Sequence, residues 1–156
     1  MALVRILIDG YSLLHHWPEL APGKPRHSAA ARDELIRKLT RYRDSIGTPI
    51  TIVFDGAGAK PEASEFPSTP ELEILYSRAG QTADQIIERV AARMQPYGEV
   101  LAVTDDLAER DTVQSLGGLT SSCLNFINTV ESTLSEFDRD MRQYNRKEQE
   151  RFKKKR

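Results

Sequence analysis

Apolar positions along this chain follow two alternating rhythms: short unbroken runs, and longer stretches in which they recur every three or four residues. "LVRILI" (3–8), "ITIVF" (50–54) and "EVLAVT" (99–104) are runs of strand length, and "ELEILY" (71–76) is a weaker version. Between them the spacing turns helical. "SAAARDELIRKLTRYRDSIG" carries Leu35, Leu39, Tyr42 and Ile46 on one face, with Ser28 placed to cap its start and Gly47 to end it. "TADQIIERVAARM" (82–94) aligns Ile86, Ile87, Val90 and Met94, and Thr82 and Gln85 have the spacing of a capping box. A short helix over 107–117, a short strand in "GLTSS" and a helix through Ile127, Val130, Leu134, Phe137 and Met141 complete the pattern. Strands alternating with helices predict parallel pairing through right-handed crossovers, hence an α/β sandwich.

Three of the strands end in acid. "ILID" stops at Asp9, "TIVFD" at Asp55, and "LAVTDD" at Asp105 and Asp106. In a parallel sheet these all leave one edge, the carboxyl edge where α/β proteins place their ligands. Asp84 reaches the same edge in the first turn of the 82–94 helix, where the positive end of the helix dipole favours an anion. Taken singly, each aspartate is as well explained as a turn or first-turn residue, since Asp-Gly at 9–10 and 55–56 is a turn signal. Their convergence is harder to explain that way. Two unit charges ~4 Å apart repel by ~4 kcal/mol near a protein surface, so a carboxylate cluster calls for a proton or a cation. Oxygen ligands suit a hard divalent ion, Mg²⁺ or Mn²⁺. Asp9, Asp84 and Asp105 are the leading candidates to hold it, with Asp55 and Asp106 divided between ligand and turn.

Composition narrows the chemistry. The chain has 156 residues, enough for about one domain. It has no apolar run of membrane-spanning length and no signal-type leader. Cys123 is the only cysteine, which excludes an internal disulfide and argues against a thiolate metal site. These features point to the cytoplasm and away from membranes. The phosphate-loop, dinucleotide, HExxH and nucleophile-elbow motifs are all missing. An acidic cage without a nucleophilic Ser or Cys fits metal-activated water attacking a phosphodiester. Phosphatases and phosphoacceptor domains also gather aspartates at strand ends, but they need a lysine partner, and no lysine follows "LTSS" until the tail.

"ILIDGYSLLH", "TIVFDGAG", "RAGQTADQIIER" and "VLAVTDDLAERDTVQSLGG" resemble, in order and spacing, the YacP-like NYN domains, relatives of the PIN-domain nucleases. The resemblance runs from about residue 3 to residue 135. It implies a PIN-like three-layer α/β/α sandwich with a mainly parallel sheet, and metal-dependent cleavage of RNA. The family's acidic positions fall on Asp9, Asp84 and Asp105, with Asp55 and Asp106 nearby. Where the family's first motif reads Asp-Gly-Tyr-Asn, this chain has Ser12. Serine keeps a donor and an acceptor but lacks an amide's reach; it is assigned to positioning water or phosphate.

An RNA substrate gives other residues candidate roles. Tyr11, His15, His16 and Trp17 could stack on unpaired bases, the alternative being a buried Trp17 beside exposed histidines. Lys24, Arg26 and His27, on a Pro-flanked loop, could meet phosphates, with a solvated loop as the simpler reading for them and for Lys60. The organisation expected is an NYN/PIN-like domain over 1–141 and a basic, polar tail over 142–156. Residues 137–156 carry nine Lys/Arg against four Asp/Glu, a net +5 that leaves −6 on the body of a chain whose total is −1. Lys153, Lys154, Lys155 and Arg156 at its end suit a polyanion such as single-stranded RNA, the ribosome or another ribonucleoprotein. Two functions follow: a Mg²⁺- or Mn²⁺-dependent endoribonuclease, or a non-catalytic RNA- or ribosome-binding module that keeps the fold.

Overall fold

Each predicted strand forms, and all five pair in parallel: β1 (Leu3–Asp9), β2 (Ile50–Phe54), β3 (Leu72–Tyr76), β4 (Glu99–Val103) and β5 (Leu119–Ser121), in the order β3-β2-β1-β4-β5. The computed structural model describes residues 3–56 and 67–154; Lys60 and Pro61, and the terminal Lys155 and Arg156, lie outside them. The chain steps outward from β1 to β2 and β3, then returns to lay β4 on the other side of β1. Ile8 lies opposite Ile52 on one neighbour and Val103 on the other. The carboxyl end of β1, which is Asp9, therefore stands at the topological switch point, where open α/β sheets bind ligands.

Side chains alternate across each strand, and the alternation builds two cores. Ile6, Ile8, Ile52 and Phe54 face α2 (Ala29–Ile46) and the first turns of α5 (Cys123–Lys154), where Leu35, Leu39, Phe126 and Val130 meet them. Leu7, Val53 and Ala102 face the opposite layer, packing on Ile87 and Ala91 of α3 (Ala83–Met94) and on Val113 of α4 (Leu107–Ser115). The result is an α/β/α sandwich. Trp17 belongs to the first core at 4% exposure, so it is a packing residue and not a base-stacking one.

The helix signals are realised as capped ends. The Ser28 hydroxyl accepts from the Ala31 N–H, and Gly47 takes a left-handed φ of 75° that closes α2. Thr82 and Gln85 form the full reciprocal capping box. Two features depart from the sequence pattern. The turn expected at Asp9-Gly10 is the start of a short helix, α1 (Gly10–His15), which leaves β1 without an intervening loop. And α5 runs 32 residues, about 48 Å, as one unbroken helix to Lys154. Its buried residues end at Leu134. Beyond them Asp138 meets Arg41 of α2 at 3.5 Å. Among the described residues, no helix is long and apolar enough to cross a membrane.

The direct strand-to-helix step at the switch point depends on Gly10. It is buried against β2, and a Cβ there would collide with the Phe54 ring. Gly10→Ala is expected to destabilise the protein by about 1–3 kcal/mol, the usual range for overpacking a filled core, as a lower urea midpoint. Adding Phe54→Leu should recover part of the loss; a second substitution that only adds to it would rule the ring out as the cause.

Candidate active site

Four helices begin at the carboxyl edge directly after a strand: α1 after β1, α3 after β3, α4 after β4 and α5 after β5. Their caps decide where the acids sit. Asp9 caps α1, its Oδ1 accepting the Ser12 N–H at 3.3 Å. Asp106 caps α4, its Oδ1 accepting from the N–H groups of Ala108 and Glu109 at 2.9 and 3.2 Å. The Thr82 box starts α3 so that Asp84 lies in its first turn.

The densest charge lies between α3 and α4, and it includes a residue the sequence reading did not single out. Glu109 is buried, and its Oε2 accepts the Thr104 hydroxyl at 3.0 Å. Its Oε1 is buried with no hydrogen-bond partner. Burial pushes the Glu109 carboxyl up to about 9, with the neighbouring Asp84 carboxylate, and more weakly Asp9, adding to the shift. Asp9 is also raised, first by burial and then by Asp84 and Asp55, while hydrogen bonds from Ser12 pull the other way. The signal for Glu109 was present but pointed elsewhere. Asp106 and Glu109 stand three apart in "DLAE", the capping-box spacing. In the fold, the Asp106 N–H goes to Thr104 Oγ1 at 3.1 Å, which leaves the Glu109 carboxylate free to turn inward.

Asp105 takes a different direction. Its Oδ1 accepts the Cys123 N–H at 3.1 Å and faces Arg110 at 3.5 Å, and its Oδ2 lies 3.2 Å from His16 Nε2. The other His16 nitrogen, Nδ1, is 2.9 Å from the Ser12 carbonyl. Among the described residues, the group of three ligand-type atoms within 4.8 Å of one another is His16, Asp105 and Cys123. The Cys123 thiol is a poor member. Burial, and then the Asp105 charge, push it up to about 12, so it stays protonated.

The remaining predicted residues are placed as follows. Asp55 accepts the Ser77 hydroxyl at 2.9 Å, and that hydroxyl in turn accepts the Gly56 N–H. Tyr11 is half-buried between the rings of His27 and Phe54, with centroids at 4.3 and 5.0 Å. Its hydroxyl accepts from the buried Arg32 at 3.2 Å. His15 and Arg26 meet each other and, with Lys24 and Trp17, line a cavity of about 410 Å³. Lys153 and Lys154 lie exposed on the last turn of α5, far along the chain from its buried part.

The donor set is therefore carboxylate oxygens around Asp9, with one buried oxygen lacking any donor beside another carboxylate. A proton or a cation would satisfy that arrangement, and oxygen donors suit a hard divalent ion. The chemistry of these donors fits such an ion, although among the described residues Asp9, Asp84 and Glu109 do not bring three ligand atoms within 4.8 Å of one another as His16, Asp105 and Cys123 do.

The whole-chain comparisons agree with this architecture. The model of the YacP-like NYN domain matches residues 6–156. This chain belongs to that family. The YacP protein of Bacillus subtilis (strain 168) is 27% identical over 138 residues, covering 88% of this chain and 81% of the relative. The crystal structure of Rae1 (YacP) from Bacillus subtilis superposes with a TM-score of 0.74 at 26% identity, over 92% of this chain and 81% of that one. Its W164L mutant gives a TM-score of 0.75 at 24% identity, a likeness of fold. NYN domains are ribonuclease-like as a family, which makes RNA the substrate class to consider for this edge.

The Glu109–Asp84 contact has a consequence for stability. With its folded value near 9 and a free value of 4.5, Glu109 holds a proton in the native state that the unfolded chain releases. The stability it contributes is fully present below about pH 4.5 and is lost as pH rises toward 9. In EDTA, the wild-type melting temperature should fall across that window, and Glu109→Gln should flatten the fall. Equal slopes for both proteins would show that the proton is held elsewhere.

Proposed function

We propose that this protein is a Mg²⁺- or Mn²⁺-dependent endoribonuclease, with its site at the carboxyl ends of β1 and β4. The observation that carries the reading is the buried, partnerless Glu109 Oε1 beside Asp84, at the switch point marked by Asp9. Asp9, Asp84 and Asp105 would hold the metal, with Asp55 at the margin of the shell. When bound, a divalent ion supplies an activated water and neutralises charge on the scissile phosphate. Ser12 fixes the Asp9 carboxylate through its N–H and would position water or phosphate. Asp106 orients the shell indirectly, by fixing the start of α4 so that Glu109 turns inward. Glu109, held against Asp84, would offer a further carboxylate oxygen to the shell. Tyr11, His15, Lys24 and Arg26 offer rings and positive charge to single-stranded RNA on the α1 side of the edge. Lys153 and Lys154 at the end of α5, with Lys155 and Arg156 next to them in sequence, would add an electrostatic contact with a larger ribonucleoprotein such as the ribosome, in a cytoplasmic setting.

One observation favours a second reading, a non-catalytic RNA- or ribosome-binding module. Ser12 occupies the position of the family's asparagine, and Asp105 is already engaged by His16 and Arg110. Cleavage of end-labelled single-stranded RNA separates the two. Internal cuts that require Mg²⁺ or Mn²⁺ and stop in EDTA are expected. Asp9→Asn and Asp84→Asn should slow them by about 10²-fold or more, the scale for losing one charge-stabilising group. Asp106→Asn should stay near wild type, because asparagine caps a helix as well as aspartate does. RNA bound but uncut under either ion would establish the binding module.

A further inference from the structure

Three ligating side chains meet at the outer part of the edge, and they are not of one chemical kind. His16 closes α1, Asp105 follows β4, and Cys123 opens α5. One nitrogen, one oxygen and one sulfur from them lie within 4.8 Å of one another. His16 and Asp105 are exposed, while Cys123 is fully buried. An ion would therefore reach the sulfur from the His16 and Asp105 side.

Each donor is held by a second contact that leaves its ligating atom turned inward. Asp105 Oδ1 takes the Cys123 N–H at 3.1 Å and faces Arg110, so Oδ2 is the oxygen turned to His16. His16 Nδ1 is 2.9 Å from the Ser12 carbonyl. With its hydrogen on Nδ1 and donated there, the ring keeps a lone pair on Nε2, the arrangement that fixes most metal-bound histidines. The Cys123 thiol is hydrogen-bonded to the Asp105 carboxylate, which turns the sulfur toward the other two donors. Nε2 and Oδ2 are 3.2 Å apart, and two ligands on one tetrahedral ion stand roughly 3.4 Å apart. A protonated His16 against Asp105 gives the same separation, so that pair alone decides nothing. The sulfur at the third corner does, and a closure of about 1 Å completes the triangle.

The donor set selects the ion. Mg²⁺ and Mn²⁺ take oxygen, whereas imidazole with thiolate belongs to Zn²⁺ and similar softer ions. Three protein ligands with an open fourth position are a common zinc arrangement. Burial and the Asp105 charge keep the proton on the free thiol, so the sulfur becomes a ligand only as the ion arrives. The metal–sulfur bond forms, the S–H bond breaks and the proton leaves to solvent. The cation cancels the Asp105 charge, and the N-terminal end of α5 favours a thiolate.

We propose that His16, Asp105 and Cys123 form a binding site for a thiophilic divalent ion of the Zn²⁺ class, distinct in donor chemistry from the carboxylates around Asp9. One consequence rests on the nuclease reading, though the site does not. Asp105 is shared, so Zn²⁺ withdraws it from the Mg²⁺ or Mn²⁺ shell and inhibits cleavage.

The test is a Co²⁺ titration of the full chain, reduced and free of Mg²⁺, followed by absorbance, with Co²⁺ as the coloured substitute for Zn²⁺. A sulfur-to-cobalt charge-transfer band should grow to an end point and be bleached by Zn²⁺ but not by a large excess of Mg²⁺. Cys123 is the only cysteine, so Cys123→Ala should lose the band. His16→Gln should bind Co²⁺ at least about tenfold more weakly, since even an outer-shell partner is worth about 10–100-fold in metal affinity. No band in wild type, or an equal band in Cys123→Ala, would overturn the site. If circular dichroism shows Cys123→Ala unfolded, His16→Gln decides, and wild-type affinity in that variant overturns the site. Cleavage in Mg²⁺ with added Zn²⁺ reads the consequence separately. Inhibition relieved in His16→Gln supports the sharing of Asp105, and equal inhibition in both proteins removes it. The cobalt band in a protein that cuts no RNA would keep the site and remove the nuclease.

Discussion

The acidic edge is organised by one contact, the buried meeting of Glu109 with Asp84. A buried carboxylate is tolerated when it is hydrogen-bonded or neutralised, and Glu109 has a donor, Thr104, for only one of its two oxygens. The second oxygen needs a proton or a cation. This requirement couples α3 to α4 across the carboxyl ends of the sheet and passes, through the repulsion among Asp84, Asp55 and Asp9, to the switch point itself.

Helix caps hold this unfavourable charge in place. Asp9 and Asp106 each cap a helix that starts at the edge, and Thr82 caps the one that carries Asp84. The same geometry directs the N-termini of α1, α3, α4 and α5 toward the acids, where their positive ends offset part of the repulsion. Asp105 follows a separate solution, with Cys123, Arg110 and His16 as its partners. The edge thus has an inner part, where carboxylates share too few donors, and an outer part, where a carboxylate has several.

The two layers of helices give the edge different neighbours. On the α1 and α2 side, Tyr11, His27 and the buried Arg32 form a tied cluster, and Arg26 is engaged by His15 and His27. On the α3 side, the exposed Arg78, Arg89 and Arg93 have no such ties among the described residues.

Much of this was legible in the chain alone. Strand runs, helical spacing, the Ser28 and Thr82 caps and the strand-end aspartates are local signals, set by periodicity and by backbone groups within a few residues. They sufficed for a parallel α/β sheet with its acids at one edge. Three features were not local. Trp17 stood between stacking and burial in the sequence, and packing between α1, α2 and the sheet buries it. The Asp-Gly at 9–10 read as a turn, because the close approach of Phe54 that favours Gly10 at the start of a helix comes from a strand more than 40 residues away. Glu109 matched a capping box, and only the placement of Thr104 and Asp84 around it made it a buried member of the site. Sequence periodicity determines which elements form and which edge carries charge. Which carboxylates lose their water and are forced together depends on contacts between elements, and those exist only once the sheet and its helices have packed.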